Sequence, residues 1–376
     1  MRVVRLVCCV VVLVGGQAQA KERAANVSID FNMQYAESLL DIACSNKAVD
    51  EALFRDSKLL KAQIAHHERF GERFSYENFI SGLKIASRCE TPTPDPFRFS
   101  ALVERRDEIE NALAILQAHQ SDLARDVGKM LVPYVPEGMD FSGSVVMAAA
   151  SFSCGGFAEG GDFFIDLQCI SGEIEQEIEA VQYLSAHETY HAIQNQFVPT
   201  LSKREAEEIT NTDEAREFIF HQLILEGTAS YVADFRKIVG TGRYSTFSRD
   251  LAKSNYRRLD SNFLLFDYLI ESLGARGEAP SQRAQDVYDL GFGGQFEELF
   301  YYVGAQMAAE IDADFGSSAL VCIMQLAPEN FVLAYGRALD AGERLPDSHL
   351  LRPATYDAAR AVAAKRSEAG RLDDCI

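Results

Sequence analysis

Two histidines four residues apart, with a glutamate directly after the first, are the side chains here best placed to do chemistry. They lie in Ser185-Ala186-His187-Glu188-Thr189-Tyr190-His191-Ala192-Ile193. A helix turns by about 100° per residue, so His187 and His191 project from one face a turn apart. Two imidazoles so placed can share one Zn²⁺ at Zn–N distances of about 2.0–2.1 Å. Glu188 points beside that position rather than onto it, where its carboxylate can take a proton from a metal-activated water. The neighbouring residues Ser185, Ala186, Thr189, Tyr190, Ala192 and Ile193 are uncharged, as a helix running through a domain core requires.

A catalytic zinc takes three protein ligands and keeps one position for water. The downstream candidate is Glu226, in Leu223-Ile224-Leu225-Glu226-Gly227-Thr228-Ala229-Ser230-Tyr231. A carboxylate among apolar residues on a mainly buried helix is costly unless it is paired or bound to a metal. His221 competes for the role, but it sits about 140° round the helix from Glu226, so the two do not face one metal. His66, His67, His119 and His349 read as surface or core residues. The expectation is one Zn²⁺ per chain held by His187, His191 and Glu226, with Glu188 as general base.

His187-Glu188-x-x-His191, followed by Glu226-Gly227-x-Ala229-x-Tyr231, resembles the gluzincins, the thermolysin-like zinc peptidases whose third ligand is a glutamate. It is more closely similar to a group of predicted bacterial zinc-dependent peptidases in which that glutamate opens a Glu-Gly-x-Ala sequence. The likeness spans residues 145–231, with a weaker echo in Tyr301-Tyr302-Val303-Gly304-Ala305-Gln306-Met307 and Phe315-Gly316. It implies a zincin-like core and a peptide or protein substrate. It also implies that strand 163–167 forms the sheet edge above the cleft, where an extended peptide can pair. Tyr301 or Tyr302 would then stabilise the oxyanion of the tetrahedral intermediate. One position departs from the thermolysin pattern. Four residues after the ligand glutamate that pattern has an aspartate orienting the first histidine; here Ser230 stands there, and Asp234 lies a turn further on. A zincin-fold binding protein of the cell envelope or secretome, with weak catalysis, is therefore the alternative to a peptidase, and a hydrolase of a non-peptide bond is a third reading.

The elements that must position these residues follow from periodicity. The motif lies on a helix beginning near Glu173 and ending before Pro199. Phe31, Tyr35, Leu39 and Ile42 recur at helical spacing with Ser28 as cap, and further helices are expected over 57–88 and 101–131, around a proline-rich break at 91–96. Residues 145–147 and 163–167 read as two short strands joined by the glycine-rich loop 154–161. Beyond Glu173 the pattern is helical, with breaks near 274–280 and 291–294. The fold class is thus predominantly helical α+β: a zincin-like core with a small strand layer and flanking helices. Residues 21–135 form an N-terminal helical region, 136–245 the catalytic core and 246–376 a C-terminal helical region.

Residues 1–20 read differently. Arg2 and Arg5 precede an apolar run from Leu6 to Val14, and Ala18-Gln19-Ala20 forms a small-residue cleavage site, the layout of a secretory signal peptide. The run is too short to span a bilayer. Export to the periplasm or the medium follows, with no stable membrane insertion. The formal net charge of −20 argues against nucleic acid or anionic lipid as partner. Outside the leader six cysteines remain, and proximity along the chain suggests the disulfides Cys44–Cys89, Cys154–Cys169 and Cys322–Cys375. None sits in a Cys-x-x-Cys spacing, so a thiolate zinc site is not expected.

Overall fold

Alternation decides the first element. Ile29 and Phe31 turn inward while Ser28 and Asp30 face solvent, so Asn26–Asn32 is a strand, β1. This corrects the expected helix capped at Ser28 and the all-helical first third. The spacing of Phe31, Tyr35 and Leu39 fits either state, and the β-branched residues Val27 and Ile29 at period two settle it. Helix begins only at Gln34–Leu40. The computed structural model describes residues 25–69, 71–152, 155–159, 161–199, 208–341, 349–365 and 372–376. The leader at 1–20 lies outside them.

β1 pairs in parallel with β2 (Asp140–Ala148), which pairs in parallel with β4 (Asp162–Asp166). β3 (Gly156–Glu159) lies antiparallel to β4, giving the order β1-β2-β4-β3. Residues 156–159 of the expected glycine-rich loop are therefore strand, and Gly161, at φ 88°, takes the left-handed conformation open to glycine. A second correction follows: 163–167 is not the sheet edge, because the hairpin lays β3 outside it.

Helices supply most of the rest. Region 57–88 divides into Lys58–Glu68 and Tyr76–Ala86, and Arg106–Leu131 buries the stripe Ile109, Leu113, Leu116, Leu123 and Val127. Four elements frame the chemistry, the first being Ile174–Phe197, the motif helix. The others are Thr212–Val232, the glutamate helix; Arg243–Arg257, the roof helix; and Leu299–Phe315, the tyrosine helix. The motif helix packs against Arg106–Leu131, β2, β3, β4 and the glutamate helix. One buried apolar cluster runs from Ile29 to Leu372. The result is a predominantly helical α+β fold with a small sheet, as expected.

Cys44–Cys89 and Cys322–Cys375 are disulfides. Cys169 is disulfide-bonded too, while its expected partner Cys154 lies outside the described residues. Among the described residues no helix is long and apolar enough to cross a membrane. The disulfides are compatible with an exported protein.

Candidate metal centre

The motif helix is held on its buried side by Ala186, Tyr190 and Ile193, and the Tyr190 hydroxyl donates to the Tyr134 carbonyl at 2.9 Å. That fixes the helix rotation and turns His187 and His191 toward a cleft. Their Nε2 atoms lie 3.1 Å apart, with the rings nearly perpendicular.

Across from them runs the glutamate helix, started by the Asn211 side chain, which accepts from the Asp213 and Glu214 amides. It delivers Glu226 Oε2 to 3.2 Å from His191 Nε2 and 3.5 Å from His187 Nε2. That oxygen is buried, and what faces it is the two imidazole nitrogens. Two imidazole nitrogens and a carboxylate oxygen, all within 4.8 Å of one another, form the donor set that a zinc ion takes. The residues present thus fit the ion. The fold brings His187, His191 and Glu226 together and leaves His221 out of the cluster, buried elsewhere on its helix. Of the other histidines, His67 is a core residue bonded to Ser151, His119 is exposed and His349 stacks on Phe263.

Gln194 orders the site, a role that sequence reasoning missed. Its Nε2 donates to the Leu225 carbonyl at 3.0 Å and to Thr228 Oγ1 at 2.8 Å, so its Oε1 faces His191 Nδ1 at 2.8 Å. A neutral His191 then carries its proton on Nδ1, leaving the Nε2 lone pair for a metal. The same side chain ties the motif helix to the residue just before Glu226. At the position where an aspartate was expected, Ser230 lines the cleft. The carboxylate of Asp234 is held by Arg236 at 2.8 and 2.9 Å.

The cleft has a volume of about 440 Å³. Glutamates in the first turns of the motif helix and just before it build the cleft's roof by capping backbone amides. Glu177, buried, accepts from the Tyr244 and Ser245 amides, both at 2.7 Å. Glu179 accepts from Val239 and Gly240, and Glu173 from Arg243. Negative charge at the start of the roof helix is favourable, and it leaves Tyr244, Phe247 and Leu251 as one wall of the cleft. On the other side Tyr301 lies parallel to His187 at 6.0 Å, and Tyr302 lines the cleft beside it.

Burial sets the electrostatics. It raises the pKa of Glu188, opposed by the two histidines. It raises Tyr301 well above the ordinary phenol value, keeping that hydroxyl a neutral donor. Glu298 is pushed up to about 7, by burial first and then by Glu226. Burial alone would raise Glu226 and lower His191; their mutual attraction reverses both, so Glu226 lies below the carboxylate range and His191 rises to about 9. The sign has a consequence in the metal-free protein. A histidine raised by folding contributes stability that is complete below its ordinary value of 6.5 and is lost as pH rises through about 9. Melting temperature measured in a chelator should fall over that window, and His191→Gln should flatten this part of the slope. Parallel profiles for the two proteins would mean that the pair does not form.

A family model described as "Putative zinc dependent peptidase (DUF5700)" matches residues 53–341, most of the chain. No curated protein and no solved structure matches it.

Proposed function

The chain belongs to the DUF5700 family, and from that membership and the site geometry we propose that it is an exported, gluzincin-type zinc peptidase. The observation that carries this reading is the buried Glu226 oxygen facing two imidazole nitrogens at 3.2 and 3.5 Å. His187, His191 and Glu226 would hold one Zn²⁺, at the heart of a zincin-like core spanning 136–245. Zinc in such a site supplies a Lewis acid that polarises a peptide carbonyl and makes water nucleophilic near neutral pH.

The remaining steps belong to the chain's own groups. Glu188, next to His187 and lining the cleft, accepts the proton of the attacking water on its carboxylate and passes it to the departing amine. Tyr301, neutral and in the same cleft, donates its hydroxyl to the carbonyl oxygen as negative charge gathers there. The Gln194 amide holds His191 in the tautomer that presents Nε2. β3, the outermost strand, offers the free edge along which an extended peptide can lie, and Gly155 and Gly156 bring that edge to the cleft.

The test is cleavage of a diverse peptide library by the purified protein. Cleavage should stop on chelation and return with stoichiometric zinc. A library left intact by the zinc-loaded protein, or cleaved equally well in chelator, would sink the reading.

A further inference from the structure

We propose that Glu298 selects a positively charged amine on the substrate beside the bond that is cut; this assignment rests on the peptidase reading above. Four carboxylates line the cleft: Glu188, Glu226, Asp234 and Glu298. Three of them are already engaged. Glu226 faces the two histidines, Glu188 is the proton acceptor, and Asp234 is neutralised by the Arg236 guanidinium. Glu298 is different. Among the described residues no hydrogen bond or ion pair engages its carboxylate, and what acts on it is burial and the charges of Glu226, His187 and Glu188. Among the described residues lining the cleft there is also no lysine or arginine that could serve as its internal partner.

A half-buried carboxylate with no partner is an expense that a fold carries only where something arrives to offset it. The surroundings narrow what arrives. Tyr244, Tyr301 and Tyr302 line the same space, and all three are held neutral by burial. Neutral phenol rings favour a cation over their faces and offer nothing to an anion. A carboxylate among tyrosines, in a cleft that also contains the cutting site, fits a protonated amine. Its position follows from the chain: Glu298 stands immediately before the tyrosine helix, and its carbonyl accepts from the Tyr301 amide at 3.0 Å. The residue that would recognise the amine and the one that would polarise the carbonyl oxygen are thus one turn apart on the same element. A peptide has two sources of such an amine, its free amino terminus and a lysine or arginine side chain. The chemistry of recognition is shared.

Four zinc-binding probes separate the sources without requiring turnover: lysine hydroxamate, Nα-acetyl-lysine hydroxamate, norleucine hydroxamate and Nα-acetyl-norleucine hydroxamate. Their affinities for the zinc-loaded protein and its Glu298→Gln variant are measured by titration calorimetry. A charge-assisted hydrogen bond predicts that the favoured amine tightens binding about tenfold or more over the acetyl-norleucine probe, and that Glu298→Gln removes the advantage. A gain carried by acetyl-lysine identifies a side-chain amine; a gain carried by norleucine identifies an amino terminus. Four equal affinities, or an advantage that survives Glu298→Gln, overturn the assignment while leaving the metal centre standing. Binding by none of the four refutes the metal-centre reading and this assignment with it. The variant must also keep its zinc: loss of the ion would make Glu298 a ligand and end the proposal.

Discussion

Glu188→Gln is expected to retain a full complement of zinc while lowering kcat/KM for peptide cleavage by about 10³-fold. The substitution preserves shape and hydrogen-bonding length but removes the only feature the mechanism uses, a carboxylate able to take a proton. Glu188 is not one of the three residues whose donor atoms converge, so nothing in the metal cluster changes. Zinc content and thermal stability are the internal controls, since a variant that has lost either says nothing about proton transfer. A zinc-replete Glu188→Gln that cleaves as fast as the parent would mean that the water is activated by another group. The same variant separates the enzyme from a binding module built on this fold. A binder would capture its partner equally well with glutamate or glutamine at 188, and neither protein would cut.

The second large effect is structural and comes from a glycine pair. The glutamate and tyrosine helices form the most extensive helix–helix contact among the described residues, and they touch at Gly227 and Gly304. A Cβ added at Gly227 would lie 2.4 Å from Gly304 Cα, and one added at Gly304 would lie 2.5 Å from the Leu223 carbonyl oxygen. Those obstacles are backbone, so no rotamer change relieves them and the helices must move apart. Gly227→Ala should therefore destabilise by about 3 kcal/mol, at the upper end for overpacking, and lower the melting temperature by several degrees. Because Glu226 directly precedes the glycine and Tyr301 lies three residues before Gly304, zinc affinity should fall with it. A variant with the parent's melting temperature and zinc affinity would show that the two helices are not held at this spacing. The crossing also gives a reason for glycine to follow the candidate ligand: the carboxylate reaches the histidines only if its helix lies close against the next one.

How much of this was legible in the sequence divides by how local the signal is. His187, Glu188 and His191 stand out as candidates by helical spacing and uncharged neighbours, and Glu226 by the improbability of a carboxylate in an apolar stretch. β1 was missed because residues four apart suit a helix as well as a strand's inner face, and its pairing partner β2 begins 114 residues later at Asp140. β3 was hidden inside a glycine-rich run that looks like loop until it pairs with β4. Glu173, Glu177 and Glu179 read as a solvated helix face; only the arrival of the segment around 239–245 buries Glu177 and turns the three into caps for the roof. Gln194 carried one available signal, an amide three residues after His191 on the same helix face, but its meaning depends on where Leu225 and Thr228 fall. Glu298 could not be singled out at all, since its lack of a partner is a property of three dimensions.

The central claim is that His187, His191 and Glu226 hold one zinc ion, and elemental analysis of the purified protein beside His191→Ala tests it most directly. The site predicts about one zinc per chain in the parent, and its loss in the variant without loss of the fold, followed by circular dichroism. Zinc unchanged by removal of His191 would place the metal elsewhere and contradict the account.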